Sequence, residues 1–398
     1  MKWFNMLNGK YFQKIPRDYV LCDACLGRQF PSEKKGLNNA MKGEELKKKA
    51  GVKNKQRESC LICGHTMSSI ESYADMVIKS LSDYEFDNFV IGARIPVSMI
   101  EQEDNLRAEL KLKGGETLKT NFTRELNNEI SKRLDVEVTH RRPDVTVIVD
   151  SLIDMVEVSS KAIFVYGRYI KSKRGIPQKR RRCLECRGKG CPECNLTGYS
   201  TTDSVEQRLT PPILSLFNAG RIKFTWIGSE DSNSLVQGEG RPFYAEILEP
   251  HIRNPKRIKS AIRKLQDGVS LKELKVIDKR PRSEQQFTIN VQSSFILNKR
   301  ITKRNIQNLE EAFKEVSVKM LPANKNKSIT KKVHSVTVES VKGLTMQVKI
   351  ECDGGLSIRR FLTGEGEEVE PNISGILKRK VKMNQEMPFD ILSVNFKT

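Results

Sequence analysis

Asp231 is the first candidate for chemistry in this chain, because it lies in a turn-rich stretch ahead of a predicted strand. Glycines and small polar residues over 228–240 predict a loop, and Phe243, Ala245 and Ile247 alternate with polar neighbours as in a half-buried strand. A loop anchored by a sheet can hold a catalytic carboxylate. A loop aspartate often only hydrogen-bonds its own backbone, so the spacing alone leaves both interpretations open.

Eight of the nine cysteines fall in Cys-x-x-Cys pairs, which in a long chain favour metal sites over disulfides. Two pairs near the N-terminus are separated by a Lys-rich helical stretch at 44–50. They can complete one tetrahedral zinc shell if the intervening chain folds back. Redox-active pairs are the alternative there. The four cysteines of this set are Cys22, Cys25, Cys60 and Cys63.

A second set of four cysteines combines two Cys-x-x-Cys pairs with a four-residue spacer. These are Cys183, Cys186, Cys191 and Cys194. Gly188 and Gly190 allow the spacer to turn tightly enough for four sulfurs to face one ion. We predict a second zinc here, and an iron–sulfur cluster is the alternative. Both metals are expected to be structural, and Cys352 is predicted to be a buried core thiol.

The charge balance favours a polyanionic partner. The 398 residues include 70 Lys and Arg against 49 Asp and Glu, a formal charge of +21 that folding does not require. A nucleic acid explains this surplus best, although an anionic membrane surface or a generically basic surface remains an alternative. No run approaches the roughly 18 apolar residues of a membrane span, and the N-terminal stretch lacks the apolar core of a signal peptide. We therefore predict a cytoplasmic protein.

A basic stretch at 171–182 contains seven cations and no anion. Glycine and proline interrupt it, so it is either a solvated linker or a segment that contacts phosphates. We predict the second, because neutralising phosphates supplies affinity that does not depend on sequence. The cations are Lys171, Lys173, Arg174, Lys179, Arg180, Arg181 and Arg182.

The elements that must position these residues indicate an α+β chain of several domains. Apolar residues recur every four positions over 118–134 and predict a helix, and further helices are predicted at 204–217, 257–265 and 306–316, the first broken by Pro211 and Pro212. Strands are predicted at 145–149, 163–166, 287–291, 336–338 and 344–350. No dinucleotide fingerprint and no Walker loop occurs, which argues against a nucleotide cofactor.

The stretch around Asp231 resembles the active-site motif of the archaeal and eukaryotic tRNA pseudouridine synthases of the tenth class, which modify uridines 54 and 55 in the T-arm. The matching residues are Glu230, Asp231, Leu235, Gly238, Gly240, Arg241, Pro242 and Phe243. Ser229 and Asn233 depart from the family pattern. The resemblance implies that Asp231 is the nucleophile, that the substrate is tRNA and that no organic cofactor is needed.

Two further segments carry substrate-binding residues by the same resemblance. Phe287 stands where the family has a tyrosine that stacks on the base, and Ser357 replaces a second tyrosine. Arg359 stands at the family's lysine and could pair with Asp231. Without the motif, Phe287 would be interpreted as a core residue and Arg359 as an exposed strand residue.

The N-terminal half is similar to the same family in its zinc element, LCDACLGRQF, and to the THUMP module of tRNA-modifying enzymes around residues 166–177. We therefore expect a zinc-binding element at 1–72, a THUMP-like α/β tRNA-binding domain at 73–175, a basic linker and cysteine knuckle at 176–200, and a catalytic domain with a mixed, mainly antiparallel sheet at 201–398. A tRNA-binding protein or folding chaperone that has lost catalysis is the rival interpretation. A zinc-dependent regulator that binds nucleic acid is a weaker one, and the oligomeric state stays open.

Overall fold

A computed structural model describes residues 9–31, 38–52, 59–113, 115–200, 203–256, 267–279, 285–321, 328–365, 369–384 and 386–396. The chain divides into two compact units, Met1–Lys161 and Ala162–Thr398. Helices and sheets occur in both units, so the predicted α+β class is confirmed. Within the described ranges, no helix has the length and apolar character needed to cross a membrane.

The first unit packs helices on a four-stranded sheet. Its helices are Gly9–Asp18, Asp23–Gly27, Asn39–Ala50, Ile70–Leu81, Val97–Glu109 and Leu118–Leu134, with a 3-10 turn at Thr66–Ser69. Its strands are β1 (Asn88–Arg94), β2 (Glu137–Val138), β3 (Val145–Asp150) and β4 (Met155–Ser160), in the order β2-β1-β3-β4. The helix expected at 118–134 is confirmed: Thr117 caps it, and Leu118, Phe122, Leu126 and Ile130 are buried.

The second unit is built on an eleven-stranded sheet. Its strands are β5 (Ile163–Lys171), β6 (Arg221–Trp226), β7 (Val236–Leu248), β8 (Val269–Ile277), β9 (Phe287–Leu297), β10 (Val316–Met320), β11 (Ile329–Lys342), β12 (Thr345–Asp353), β13 (Val369–Glu370), β14 (Val381–Met383) and β15 (Asp390–Phe396). Its helices are Val205–Phe217, Lys303–Ala312, Ile358–Thr363 and Ile373–Leu377, with a 3-10 turn at Pro192–Cys194.

The order of this sheet places β7 between β15 and β5. The full path is β13-β10-β11-β12-β9-β15-β7-β5-β8, with β14 paired to β9 and β6 paired to β7. Among the described strands of this sheet, only β15 and β7 pair in parallel. The sheet is therefore mixed and mainly antiparallel, as expected, and most of its buried apolar residues form one core that includes the thiol of Cys352.

Strand β5 lies in the second unit. The sequence grouped it with the 73–175 segment, but in the structure it pairs with β7 and β8 along most of its length. The division between the units falls at 161, before this strand begins. Sequence patterns identify a strand but not its partners, and here hydrogen bonding to distant strands decides where it belongs.

Two predicted helices differ from the structure. The helix Val205–Phe217 continues through Pro211 and Pro212, because its buried face packs on the core and offsets the lost N–H donors. The helix Lys303–Ala312 ends before Phe313, and Val316 already belongs to β10. The C-cap Phe313 already leaves the helical conformation with a φ of −116°, and Glu315 adopts a left-handed φ of 54° before β10 begins. The helix expected at 257–265 lies outside the described residues.

Candidate active site

Asp231 lies on a short loop between β6 and β7. Its Oδ1 accepts the N–H of Asn233 at 2.9 Å, and its own carbonyl accepts the N–H of Ser234 at 3.1 Å. The predicted loop at 228–240 is shorter in the structure, since β7 already begins at Val236. One carboxylate oxygen thus holds the turn, and the other is directed elsewhere.

The second oxygen of Asp231 faces Arg359. The Oδ2 atom lies 3.9 Å from Nη2 of Arg359, and the two side chains are 33% and 47% exposed. The structure therefore brings together two residues that are 128 positions apart in the sequence. Because both are partly solvated, their attraction is modest, and the carboxylate remains accessible to a substrate.

A fully buried ion cluster lies next to this carboxylate. Glu230 has its Oε1 3.0 Å from Nζ of Lys171 and its Oε2 3.7 Å from Nη1 of Arg241. Tyr169 donates its hydroxyl to Glu230 Oε2 at 2.7 Å and accepts Nε2 of Gln178 at 3.0 Å. A buried carboxylate of this kind is stable only when cations and donors surround it.

Burial dominates the proton affinities in the cluster. It raises the pKa of the Tyr169 phenol well above its ordinary value, and the negative charge of Glu230 adds to that effect. It lowers the pKa of the Lys171 ammonium, against the opposing attraction of Glu230. The phenol is therefore neutral at neutral pH and acts as a hydrogen-bond donor.

Lys171 has a different role from the one predicted. Its side chain is fully buried, so it cannot contact a phosphate of bound RNA. Besides Glu230, its ammonium donates to the carbonyls of Ile176, Asp231 and Ser232 at 2.9, 3.1 and 3.2 Å. It ties the backbone of the Asp231 loop to β5 and holds Asp231 in place.

Arg174 also faces inward and holds the far end of the loop. Its Nη1 donates to the carbonyl of Asn233 at 2.5 Å, and its guanidinium forms a two-pronged pair with Asp390 at 2.6 and 2.7 Å. Asp390 in turn accepts the N–H of Leu235 at 2.9 Å. These bonds occupy three of its five donors, and RNA binding by Arg174 stays a prediction.

The other five cations of the basic stretch lie at or near the surface, and their side chains differ in how exposed they are. Lys173 lies 3.6 Å from Asp267 and is largely exposed. Arg180 is half-buried, 3.7 Å from Glu206 and stacked over the ring of Tyr199. Lys179, Arg181 and Arg182 are exposed. RNA binding by these five residues stays a prediction.

Phe287 sits at the start of β9 between two glycine backbones. A Cβ atom at Gly354 would overlap its ring, and one at Gly228 would lie 2.9 Å from its Cζ. The N–H of Gly354 donates to the Phe287 carbonyl at 2.7 Å. Gly228 is three residues before Asp231, so the aromatic ring packs against the start of the Asp231 loop. The lack of side chains at both glycines makes this approach possible.

Ser357 and Arg359 lie at the beginning of the helix Ile358–Thr363. Ser357 is half-buried at the N-cap, and its carbonyl accepts the N–H of Phe361 at 2.9 Å. Arg359 is therefore a helix residue, and its interpretation as a strand residue is wrong. The start of this helix supplies the cation that faces Asp231.

Sequence reasoning missed Tyr169, Gln178 and Asp390. The motif includes Glu230 and Arg241, but nothing in the pattern identifies the partners that neutralise them. Tyr169 is 61 positions from Glu230, and Arg174 is 216 positions from Asp390. These contacts form only when β5 and β15 both pair with β7.

Both predicted cysteine sets converge in the structure. In each set the four sulfurs all lie within 4.8 Å of one another. Close Sγ–Sγ distances are 3.7 Å for Cys22 and Cys63, and 3.8 Å for Cys183 and Cys191. A zinc–sulfur bond of about 2.3 Å in tetrahedral geometry requires sulfurs about 3.8 Å apart. Each set therefore has the geometry to hold a metal ion.

Hydrogen-bond donors surround the sulfurs as well. The N–H groups of Gly190 and Gly198 donate to Cys186 and Cys194 at 3.2 Å each. In the first set, Nη2 of Arg28 lies 3.5 Å from the sulfur of Cys25. Donors of this kind stabilise thiolates and orient them as ligands.

Family models and curated relatives match most of this chain. The model "Pus10, C-terminal" matches residues 164–395, and "Pus10 THUMP domain, archaeal" matches residues 73–150. The chain is similar to "tRNA pseudouridine synthase Pus10" of Nitrosopumilus maritimus, with 31% identity over 96% of this chain and 97% of the relative. The protein of the same name from Cenarchaeum symbiosum is 30% identical over 91% of this chain and 87% of the relative. A solved Cbf5–Nop10–Gar1 complex matches at 12% identity and a TM-score of 0.27, over 57% of this chain and 58% of that chain, which is too low to support an argument.

Proposed function

Since this chain belongs to the Pus10 family of tRNA pseudouridine synthases, we propose that it isomerises uridine 54, uridine 55 or both in the T-arm of tRNA, with Asp231 as the nucleophile. The enzyme is an isomerase. The observation that carries the assignment of Asp231 is its geometry: one carboxylate oxygen is engaged in a turn, and the other faces Arg359 at 3.9 Å. An accessible carboxylate on a fixed loop is what attack on a ribose carbon requires.

The reaction exchanges one bond to the ribose for another. The bond from uracil N1 to the ribose breaks, the base turns, and C5 bonds to the same ribose carbon. C5 loses a proton and N1 gains one, so no atom is added overall. The proposed role of Asp231 is to attack the ribose and hold it while the base turns.

The neighbours of Asp231 support this chemistry in distinct ways. Arg359 keeps a positive charge beside the carboxylate, and Lys171 holds the loop backbone through two carbonyls. Phe287 offers an aromatic ring for stacking on the base but carries no ionisable group. The proton transfer in this enzyme therefore does not use a phenol at that position. Ser357 is proposed to hydrogen-bond the base.

The test is pseudouridine mapping in a tRNA transcript incubated with pure protein. Wild type should convert uridine in the T-loop, while Asp231→Asn should bind tRNA normally and lose at least about a thousandfold in rate, because an amide is a poor nucleophile. Glu239→Gln is the matched control: Glu239 is another carboxylate near this loop, 77% exposed, and should leave the rate unchanged.

Two results would contradict the proposal. Equal conversion by wild type and Asp231→Asn would remove Asp231 from the mechanism. Tight tRNA binding by wild type without any pseudouridine would favour the rival, a tRNA-binding protein or folding chaperone.

We also propose that each cysteine set binds structural zinc, because four thiolates at tetrahedral spacing suit that ion. The metal would cross-link the two chain segments that carry the Cys-x-x-Cys pairs of each set. Metal analysis of the pure protein should find two zinc ions per chain and one in Cys191→Ser. Iron at either site would contradict the assignment.

A further inference from the structure

The loop around the second cysteine set carries two leucines that are almost wholly solvent-exposed. We call residues 182–199 the knuckle. Leu184 is 88% exposed and Leu196 is 76% exposed, the highest values among large apolar side chains in the described part of the chain. Exposed single leucines are common on proteins, but two on one loop of eighteen residues need an explanation.

Leu196 also has an unfavourable backbone conformation. Its φ is 62°, in the left-handed region, and it follows Asn195 at 51°. Asparagine tolerates this region well, whereas leucine does so at a cost in free energy. Since the side chain is not buried, packing does not offset that cost. A strained and exposed apolar residue is therefore not there for stability, and a role in binding accounts for it.

Backbone hydrogen bonds hold the knuckle, and with it both leucines, in one conformation. Arg182 and Tyr199 form a β-bridge at its base, and the N–H of Cys183 donates to the carbonyl of Gly198 at 2.9 Å. The N–H of Leu196 donates to the carbonyl of Cys191 at 2.9 Å. A partner that binds here does not have to order the loop first, which saves conformational entropy on association.

The charges around the leucines indicate the chemistry of the partner. Residues 179–199 contain six Lys or Arg and two Glu, and Arg187 and Lys189 lie on the knuckle itself and are exposed. A surface that combines cations with apolar side chains fits a ligand that has both phosphates and flat apolar rings. RNA with unstacked bases has both.

We infer that the knuckle is an RNA-contacting surface on which Leu184 and Leu196 pack against unstacked bases of the tRNA. This inference rests on the proposed function, because it takes tRNA as the substrate. Leucines are among the apolar side chains that hold bases apart in nucleic-acid complexes, and a target uridine inside a folded loop must be extruded before it can react.

The knuckle lies within reach of the same RNA arm as Asp231. Arg174 contacts the Asp231 loop, and Leu184 follows ten residues later. Ten residues span at most about 35 Å, roughly one turn of a nucleic-acid duplex. One arm of a tRNA can therefore contact the loop and the knuckle together.

The test compares full-length, metal-loaded variants. Leu184→Ser with Leu196→Asn removes both apolar side chains, and Leu344→Ser is the matched control, since Leu344 is 40% exposed in the turn between β11 and β12. We measure the Kd for a tRNA transcript at fixed salt, the Tm and the metal content. The double variant should bind tRNA about tenfold more weakly, because it loses the apolar contacts that both leucines make with the RNA bases.

Leu196→Asn alone separates binding from stability. Asparagine suits the left-handed backbone, so this variant should keep its metal and show an equal or higher Tm, yet bind tRNA several-fold more weakly. An unchanged Kd in both variants would overturn the inference and leave the knuckle to another partner, such as a protein. If wild type itself binds no tRNA, the proposed function fails instead.

Discussion

At the scale of the residue, the backbone and the two carboxylate oxygens of Asp231 have different partners. The backbone of Asp231 is bound by Lys171, and one side-chain oxygen is bound by Asn233. Only the other oxygen, facing Arg359, is left for the attack that we propose. A reacting group whose backbone and rotamer are both fixed needs little reorganisation when the substrate arrives.

One prediction concerns the space around Gly228, which Arg241 and Phe287 fill. Gly228 and Gly343 both have left-handed backbones, at φ 71° and 64°, but a Cβ at Gly228 would overlap Arg241 and crowd Phe287, whereas one at Gly343 would meet open space. Both alanine variants should lose about 1 kcal/mol from backbone strain. Gly228→Ala should lose about 1–3 kcal/mol more from overpacking, and its turnover should fall.

Denaturant unfolding and single-turnover assays check this pair. Equal stability of the two alanine variants would mean that the side chains of Arg241 and Phe287 both move aside at no cost.

A second prediction concerns how the stability of the protein depends on pH through Tyr169. Its pKa is raised on folding, so its contribution to stability is complete below the ordinary tyrosine pKa of about 10 and is lost as the pH rises above it. Tyr169→Phe should lower the free energy of unfolding by about 1–3 kcal/mol at pH 8, because Glu230 loses a donor. That difference should narrow above pH 10. Lys171, Arg241 and Glu230 also face the phenol and are present in both proteins.

The measurement is denaturant unfolding of both proteins from pH 8 to pH 11. A constant difference over that range would show that Tyr169 does not titrate differently in the folded state.

At the scale of the element, the Asp231 loop is held between two strands. Lys171 ends β5 on one side, and Asp390 begins β15 on the other. Because β7 lies between these strands in the sheet, the loop that leads into β7 is held from both flanks. The basic stretch thus contributes Lys171 and Arg174 to this contact, while its other five cations lie toward the surface.

The β15 clamp can be tested at Asp390. Asp390→Ala removes the partner of Arg174 and the acceptor of the Leu235 N–H, so the loop should loosen and turnover should fall by about tenfold. Asp390→Asn keeps an acceptor oxygen and should recover part of the rate. The Kd for tRNA should change little in either variant.

Asn395→Ala, an exposed position on the same strand, serves as the control. Equal rates in all three variants and wild type would show that the loop holds its geometry without Asp390.

At the scale of the whole molecule, we expect the charge of +21 to favour RNA binding, with unequal contributions from the individual cations. Lys171 is buried and Arg174 is engaged with Asp390, so neither can release counterions from phosphates as an exposed lysine does. We therefore expect affinity for RNA to depend on the exposed cations, including those beside the knuckle.

Salt titration tests this distribution. Changing Lys179 and Arg182 to glutamine should reduce the slope of log K against log salt by about 1.5, since each phosphate contact contributes about 0.7 to 0.9. Changing the exposed pair Lys378 and Lys382 in the same way removes equal charge at another place and separates a local contact from a net-charge effect. Equal slopes in the two double variants would contradict a local contact beside the knuckle.

Short-range pattern was sufficient for the cysteine sites, the helix at 118–134 and the position of the Asp231 loop. The cysteine motifs, the turn residues and the period of apolar residues indicate these features directly, although the two pairs of the first cysteine set meet only in the fold. The family resemblance identified Glu230 and Arg241 without explaining how a buried carboxylate is neutralised.

The tertiary structure alone decided that Lys171 and Arg174 point inward, that β5 belongs to the second unit, and that Arg359 meets Asp231 from a helix. These outcomes depend on which strands pair and in what register, and residues 60 to 216 positions apart meet only after that pairing is set. A cation in a basic run looks the same in sequence whether it faces solvent or a buried carboxylate, because burial is a property of the folded sheet and not of the residue's neighbours in the chain.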